Sequence, residues 1–186
     1  MDQREMINYL QERSKRSSRN TKFALPSYNR SERLISQMES YVEQLSALEP
    51  TLSLMGNHCE DMELLLLPHL GKFIQYHSRR VGETFERDME YFLLDLYLIC
   101  LMDDLDIKRV FVPKEKLRQA SPQTPDQLLL QMHESLYSYR IAVREESSEV
   151  LAQSYGREDI LSDIVLALLI LCQVYRVSLA FLTDSD

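Results

Sequence analysis

Glu145, Glu146 and Glu149 stand three and four positions apart, a spacing that sets their carboxylates on one face of a helix. Asp159 and Asp163, again four apart, follow shortly after and open a second apolar run. An antiparallel helix pair turning at Tyr155-Gly156 would bring Glu149 level with the two aspartates. Carboxylates gathered in this way repel one another unless a cation sits between them. Oxygen-only ligands suit Mg²⁺ or Mn²⁺, ions that in turn hold phosphate oxygens. The same residues also fit a solvated acidic face, with Arg140, Arg144 and Arg157 as nearby counter-charges.

Other chemistry finds little support. Ser147 and Ser148 have no histidine close in sequence, and no glycine-rich phosphate loop is present. His58, His69 and His133 are isolated from one another and make no metal-binding spacing. Cys59, Cys100 and Cys172 form no C-x-x-C pair, and the last two lie inside apolar runs. They read as small core residues in a reducing compartment.

From Gln131 to Val177 the chain resembles the MazG-like all-α nucleoside triphosphate pyrophosphohydrolases. That family carries Glu-Glu-x-x-Glu on one helix and Glu-x-x-Asp on the next. Glu145-Glu146-x-x-Glu149 matches the first motif, and Asp163 before Ile164-Val165-Leu166 matches the end of the second. Ile160 stands where the second motif has its glutamate, and Asp159, one turn before Asp163, is the conjectured substitute. The resemblance implies a Mg²⁺ site on Glu145, Glu146, Glu149, Asp159 and Asp163, and hydrolysis between the α and β phosphates of a nucleotide. The segment His77-Ser78-Arg79-Arg80-Val81-Gly82 resembles, more distantly, a histidine phosphotransfer domain, which implies an accessible His77 imidazole steadied by Arg79 or Arg80. Its glycine departs from that family's spacing.

The elements that must position these residues are helical. The chain has 186 residues, only four glycines and no tryptophan, and period-two alternation is nearly absent. An all-α fold follows: a single helical bundle of five or six substantial helices with an N-terminal arm. Thr124-Pro125-Asp126 supplies an N-cap, a first-turn proline and a negative charge at the positive end of a helix. Leu128, Leu129, Met132, Leu136, Tyr139 and Val143 continue it at helical period. Gly156 suits a left-handed helix end. Beyond it, Leu161, Ile164, Val165, Leu168, Leu171, Cys172, Tyr175 and Leu179 predict a buried helix. Residues 31–48, 59–80 and 83–106 carry similar stripes, with Leu48 and Leu65 among the inward positions and Pro68 expected to kink the second or to begin a new segment within it. Ile107–Val112 is the one stretch that reads as a short strand.

Charge sorts the possible partners. A net charge of -8 argues against nucleic acid, which needs a basic footprint. Residues 1–33 are nonetheless net basic, with Arg4, Arg13, Lys15, Arg16, Arg19, Lys22, Arg30 and Arg33 outnumbering Asp2, Glu5, Glu12 and Glu32. Residues 1–30 therefore read as a basic arm and linker ahead of a bundle domain at 31–186. Its Phe23, Leu25 and Tyr28 form an apolar plug beside Arg16, Arg19 and Lys22 that needs a groove on this subunit, a second copy or another protein. No apolar leader is recognised at the N-terminus, and Gln173, Arg176 and Ser178 interrupt the longest apolar run, so a cytoplasmic protein is expected. The first expectation is a non-enzymatic helical interaction protein needing no cofactor. The Mg²⁺-dependent pyrophosphohydrolase, with a nucleotide as its partner, stands second.

Overall fold

The computed structural model describes residues 3–17, 28–56, 62–79, 84–144 and 156–182. It is all-α: no strand occurs among the described residues. Among the described residues six helices have fourteen residues or more: α1 (Gln3–Ser17), α2 (Tyr28–Ala47), α4 (Leu66–Arg79), α5 (Thr84–Met102), α8 (Pro125–Arg144) and α9 (Arg157–Tyr175). Three short ones, α3 (Glu49–Gly56), α6 (Ile107–Phe111) and α7 (Lys114–Arg118), take the number beyond the five or six expected. None of the helices among the described residues is long and apolar enough to cross a membrane.

The centre is α9. Leu161, Ile164, Val165 and the run Ala167–Cys172 are all buried, so this helix is covered around its circumference. Alongside it packs α8, whose Leu128, Leu129, Met132, Leu136 and Tyr139 are essentially inaccessible. The start of α8 is a reciprocal capping box. Thr124 Oγ1 accepts from Gln127 N at 3.3 Å, and Gln127 Oε1 accepts from Thr124 N at 2.8 Å. Against α8 lies α1, with Leu10 fully buried and Gln11 Nε2 donating to Glu134 Oε1 at 3.2 Å. Gln3–Ser17 thus packs on α8, one of the dockings open to a basic N-terminal arm.

Several local expectations change for identifiable reasons. Ile107–Phe111 is helical because Asp106 caps it, its Oδ1 accepting from Arg109 N at 3.1 Å, while Val110 and Phe111 turn into the core. Of the two readings of Pro68, the start of a new segment holds: it falls in the first turn of α4, where its missing N–H breaks no helical bond. Gly156 is extended (φ −62°, ψ 150°) and precedes α9. The left-handed helix end belongs to Arg176 (φ 59°), whose N–H meets the Cys172 and Gln173 carbonyls. Leu48 is 53 % exposed because α2 stops at Ala47 and the chain turns into α3 there. Leu65 is 39 % exposed, in the 3-10 turn Met62–Leu65 that precedes α4.

The segment between α5 and α8 works as a strap. Its helices α6 and α7 each contact both α2 and α9, and so carry a row of cations to the flank of α9.

Candidate functional site

That flank holds the two aspartates singled out by the sequence. Arg157, Glu158 and Asp159 form the first turn of α9, where acidic side chains complement the positive helix end. Asp159 Oδ2 accepts from Arg109 Nη2 of α6 at 2.7 Å. One turn on, Asp163 Oδ1 accepts from Lys116 Nζ of α7 at 2.8 Å. The same ammonium reaches the Asp159 carbonyl at 3.0 Å and lies 3.8 Å from Asp159 Oδ1. The two like charges of the helix turn are therefore answered by cations of the chain itself. These are partly exposed pairs, with 31 % of the Lys116 side chain and 23 % of Asp163 accessible.

Glu145, Glu146 and Glu149 lie outside the described residues, so of the expected ligand set only Asp159 and Asp163 are placed. Among the described residues no three of His, Cys, Asp and Glu come together in a way that would hold a metal ion. Arg19, Lys22, Phe23 and Leu25 also lie outside the described residues. The backbones of Arg16 and Tyr28 belong to α1 and α2, and their side chains lie outside the description.

A second polar group borders the aspartates. Asp103, after α5, accepts from the Tyr139 hydroxyl of α8 and lies 3.6 Å from Arg157 Nη1. Burial, then the bond to Asp103, drives the Tyr139 phenol far above its usual range, so it serves as a hydrogen-bond donor and not as a base. Burial likewise pushes the Cys100 and Cys172 thiols up. They are inert core groups rather than nucleophiles.

The His77 side chain is 20 % accessible, and both its ring nitrogens lie against partners. Its Nδ1 lies 2.9 Å from the Tyr175 hydroxyl, and its Nε2 lies 3.4 Å from Asp126 Oδ1, a carboxylate only 5 % accessible. The ring sits beside an aromatic cluster in which Tyr175 meets Tyr76 and Phe85 edge-on. The tie joins α4, α8 and α9. A comparable link, His69 Nε2 to Asp95 Oδ2 at 3.1 Å, joins α4 to α5.

The partners Arg109 and Lys116 were not singled out from sequence, although a signal existed. Lys108, Arg109, Lys114, Lys116 and Arg118 crowd one short segment, and an i, i+4 aspartate pair needs cations from somewhere. No family model, curated protein or solved structure matches this chain.

Proposed function

We propose that this chain is a non-enzymatic helical interaction protein. In this reading it is a helical bundle that binds a protein partner, or a second copy of itself, through its surface and the basic segment within residues 1–30. It needs no cofactor and works in the cytoplasm. The observation that carries the reading is the engagement of Asp159 and Asp163 by Arg109 and Lys116. A Mg²⁺ site would have to displace an ammonium 2.8 Å from Asp163 before binding a nucleotide there. Large apolar side chains left at the surface give further support: Tyr9 on α1, Tyr91 on α5 and Tyr137 on α8 are 40–47 % exposed. Tyrosine is enriched where proteins meet.

The test is proximity labelling with the full chain in its own cells, compared with a variant carrying Arg16→Glu, Arg19→Glu and Lys22→Glu. The expected result is a reproducible set of labelled proteins that the charge-reversed chain loses. An identical set from both chains would overturn the role of the basic segment. The pyrophosphohydrolase reading predicts instead that pyrophosphate is released from a nucleoside triphosphate in Mg²⁺, and that Asp163→Asn abolishes this release.

A further inference from the structure

A cleft on the opposite, C-terminal end of α9 has a different charge character. It encloses ≈ 220 Å³ between Arg33, Leu34 and Gln37 of α2 and Cys172, Gln173, Arg176, Val177 and Ser178 at the end of α9. Among the described residues its lining includes two arginines and no Asp or Glu, in a chain whose net charge is -8. Lys72 of α4 and four of the five strap cations, Arg109, Lys114, Lys116 and Arg118, each face an Asp or Glu, and Lys108 is the exposed exception. Arg33 and Arg176 meet none among the described residues. Glu32, the neighbour of Arg33, is already taken by Arg118 at 3.1 Å.

Local hydrogen bonds order the chain around this cleft. Arg176 sits in the left-handed conformation, closing α9 with its own N–H while its side chain remains at the cleft. Val177 N donates to the Cys172 carbonyl at 2.9 Å, so carbonyls at the negative end of the helix are already engaged. Ser178 Oγ accepts from Gln37 Nε2 at 3.1 Å and from Ala180 N at 3.2 Å, which leaves its own hydroxyl hydrogen available to donate. Gln173 is 7 % exposed; its Nε2 donates to Ser31 Oγ at 3.1 Å, and its buried Oε1 has no partner. A buried polar atom left in that state costs stability unless something meets it.

We propose that this cleft binds a phosphate group, held between the Arg33 and Arg176 guanidiniums with Ser178 as a further donor. Guanidiniums from two separate elements address oxygens on more than one side of a ligand, which suits a tetrahedral anion better than a planar carboxylate. A protonated phosphate oxygen, or an N–H beside the phosphate, meets the free Gln173 carbonyl. Size narrows the class. Pockets for whole drug-sized ligands run about 300–1,000 Å³, so this cleft takes a phosphate and its immediate attachment rather than a nucleotide. The site is independent of the partner-binding reading and of the Asp159–Asp163 flank.

The test is a ¹H–¹⁵N NMR titration of the full chain with inorganic phosphate, with chloride at matched ionic strength as the control. Saturable shifts at the amides of Arg33, Arg176, Val177 and Ser178 are expected with phosphate alone. Arg33→Gln and Arg176→Gln should each weaken binding about tenfold or more, since each removes a charge-assisted hydrogen bond. Lys108→Gln, at an exposed strap position, should leave it unchanged. Shifts that do not saturate, or that chloride reproduces, would overturn the site, and the wild-type titration decides this even if a variant fails to fold. Full affinity in either arginine variant would overturn the two-guanidinium arrangement. Titrating free phosphoserine and a phosphoserine peptide then separates the sources: equal affinity assigns the site to a small phosphate, and tighter peptide binding to a phosphorylated protein segment.

Discussion

Lys116 of α7 places its ammonium 2.8 Å from Asp163 Oδ1 and within 3.0 Å of the Asp159 carbonyl, so one cation ties the strap to a full turn of the central helix. Asp159 and Asp163 would otherwise face each other as like charges on one helix side. Arg109 completes the neutralisation at Asp159.

Lys116→Met should therefore destabilise the fold, by about 1–2 kcal/mol, between the small worth of an exposed pair and the larger penalty for stranding a buried charge. Urea unfolding read by circular dichroism checks this as a lower midpoint with an unchanged slope. Adding Asp163→Asn should recover part of the loss, because the two side chains act as a pair. An unchanged midpoint in Lys116→Met would mean that the contact adds nothing to the fold.

Phe85 is 1 % exposed and touches Phe73, Tyr76 and Tyr175 with ring centroids 4.8–5.3 Å apart. Phe85→Ala should cost about 3–5 kcal/mol, a large share of a typical domain's stability. Tyr91→Ala, at a position 44 % exposed, should stay within about 1 kcal/mol of the parent even though Arg87 lies over its ring. Guanidinium unfolding of the two variants side by side gives the comparison. A reversed order would place the core elsewhere.

His133 is 2 % exposed, and its Nδ1 donates to the Leu129 carbonyl at 2.9 Å. Burial lowers its pKa below the ordinary 6.5, with the Leu129 bond acting weakly the other way. A lowered folded pKa means that the unfolded chain takes up the proton first as the medium is acidified. The contribution of His133 is then fully present above pH 6.5 and is lost as pH falls through the folded value. Stability measured from pH 7.5 downward should fall in this range, and less steeply in His133→Gln. Equal slopes in the two proteins would show that His133 titrates alike folded and unfolded.

How far the sequence foretells this molecule depends on how local the determining contacts are. The start of α8 was legible because Thr124, Pro125 and Gln127 act within one turn, and the stripe Leu128 to Tyr139 repeats at helical period. Ile107–Val112 misled because apolar β-branched residues fit a strand as readily as a helix, and only the Asp106 cap decides for the helix. Gly156 tolerates either end of a helix, so its composition did not say whether it closes α8 or opens α9. The partners of Asp159 and Asp163 were hidden for a different reason. Lys116 is 47 residues from Asp163 in the chain, and only the folding of the strap across α2 and α9 brings them together. The matched and unmatched cations behave in the same way: Arg33 and Arg118 are indistinguishable as sequence, and packing alone gives one a carboxylate and leaves the other at a cleft.

The most direct measurement is a calorimetric titration of Mg²⁺ into the full chain, alone and with a non-hydrolysable nucleoside triphosphate analogue. If Asp159 and Asp163 are held by Arg109 and Lys116 in solution, no protein-dependent saturable heat appears in either case. Saturable Mg²⁺-dependent heat that disappears in Asp163→Asn would contradict the account and restore those carboxylates as metal ligands.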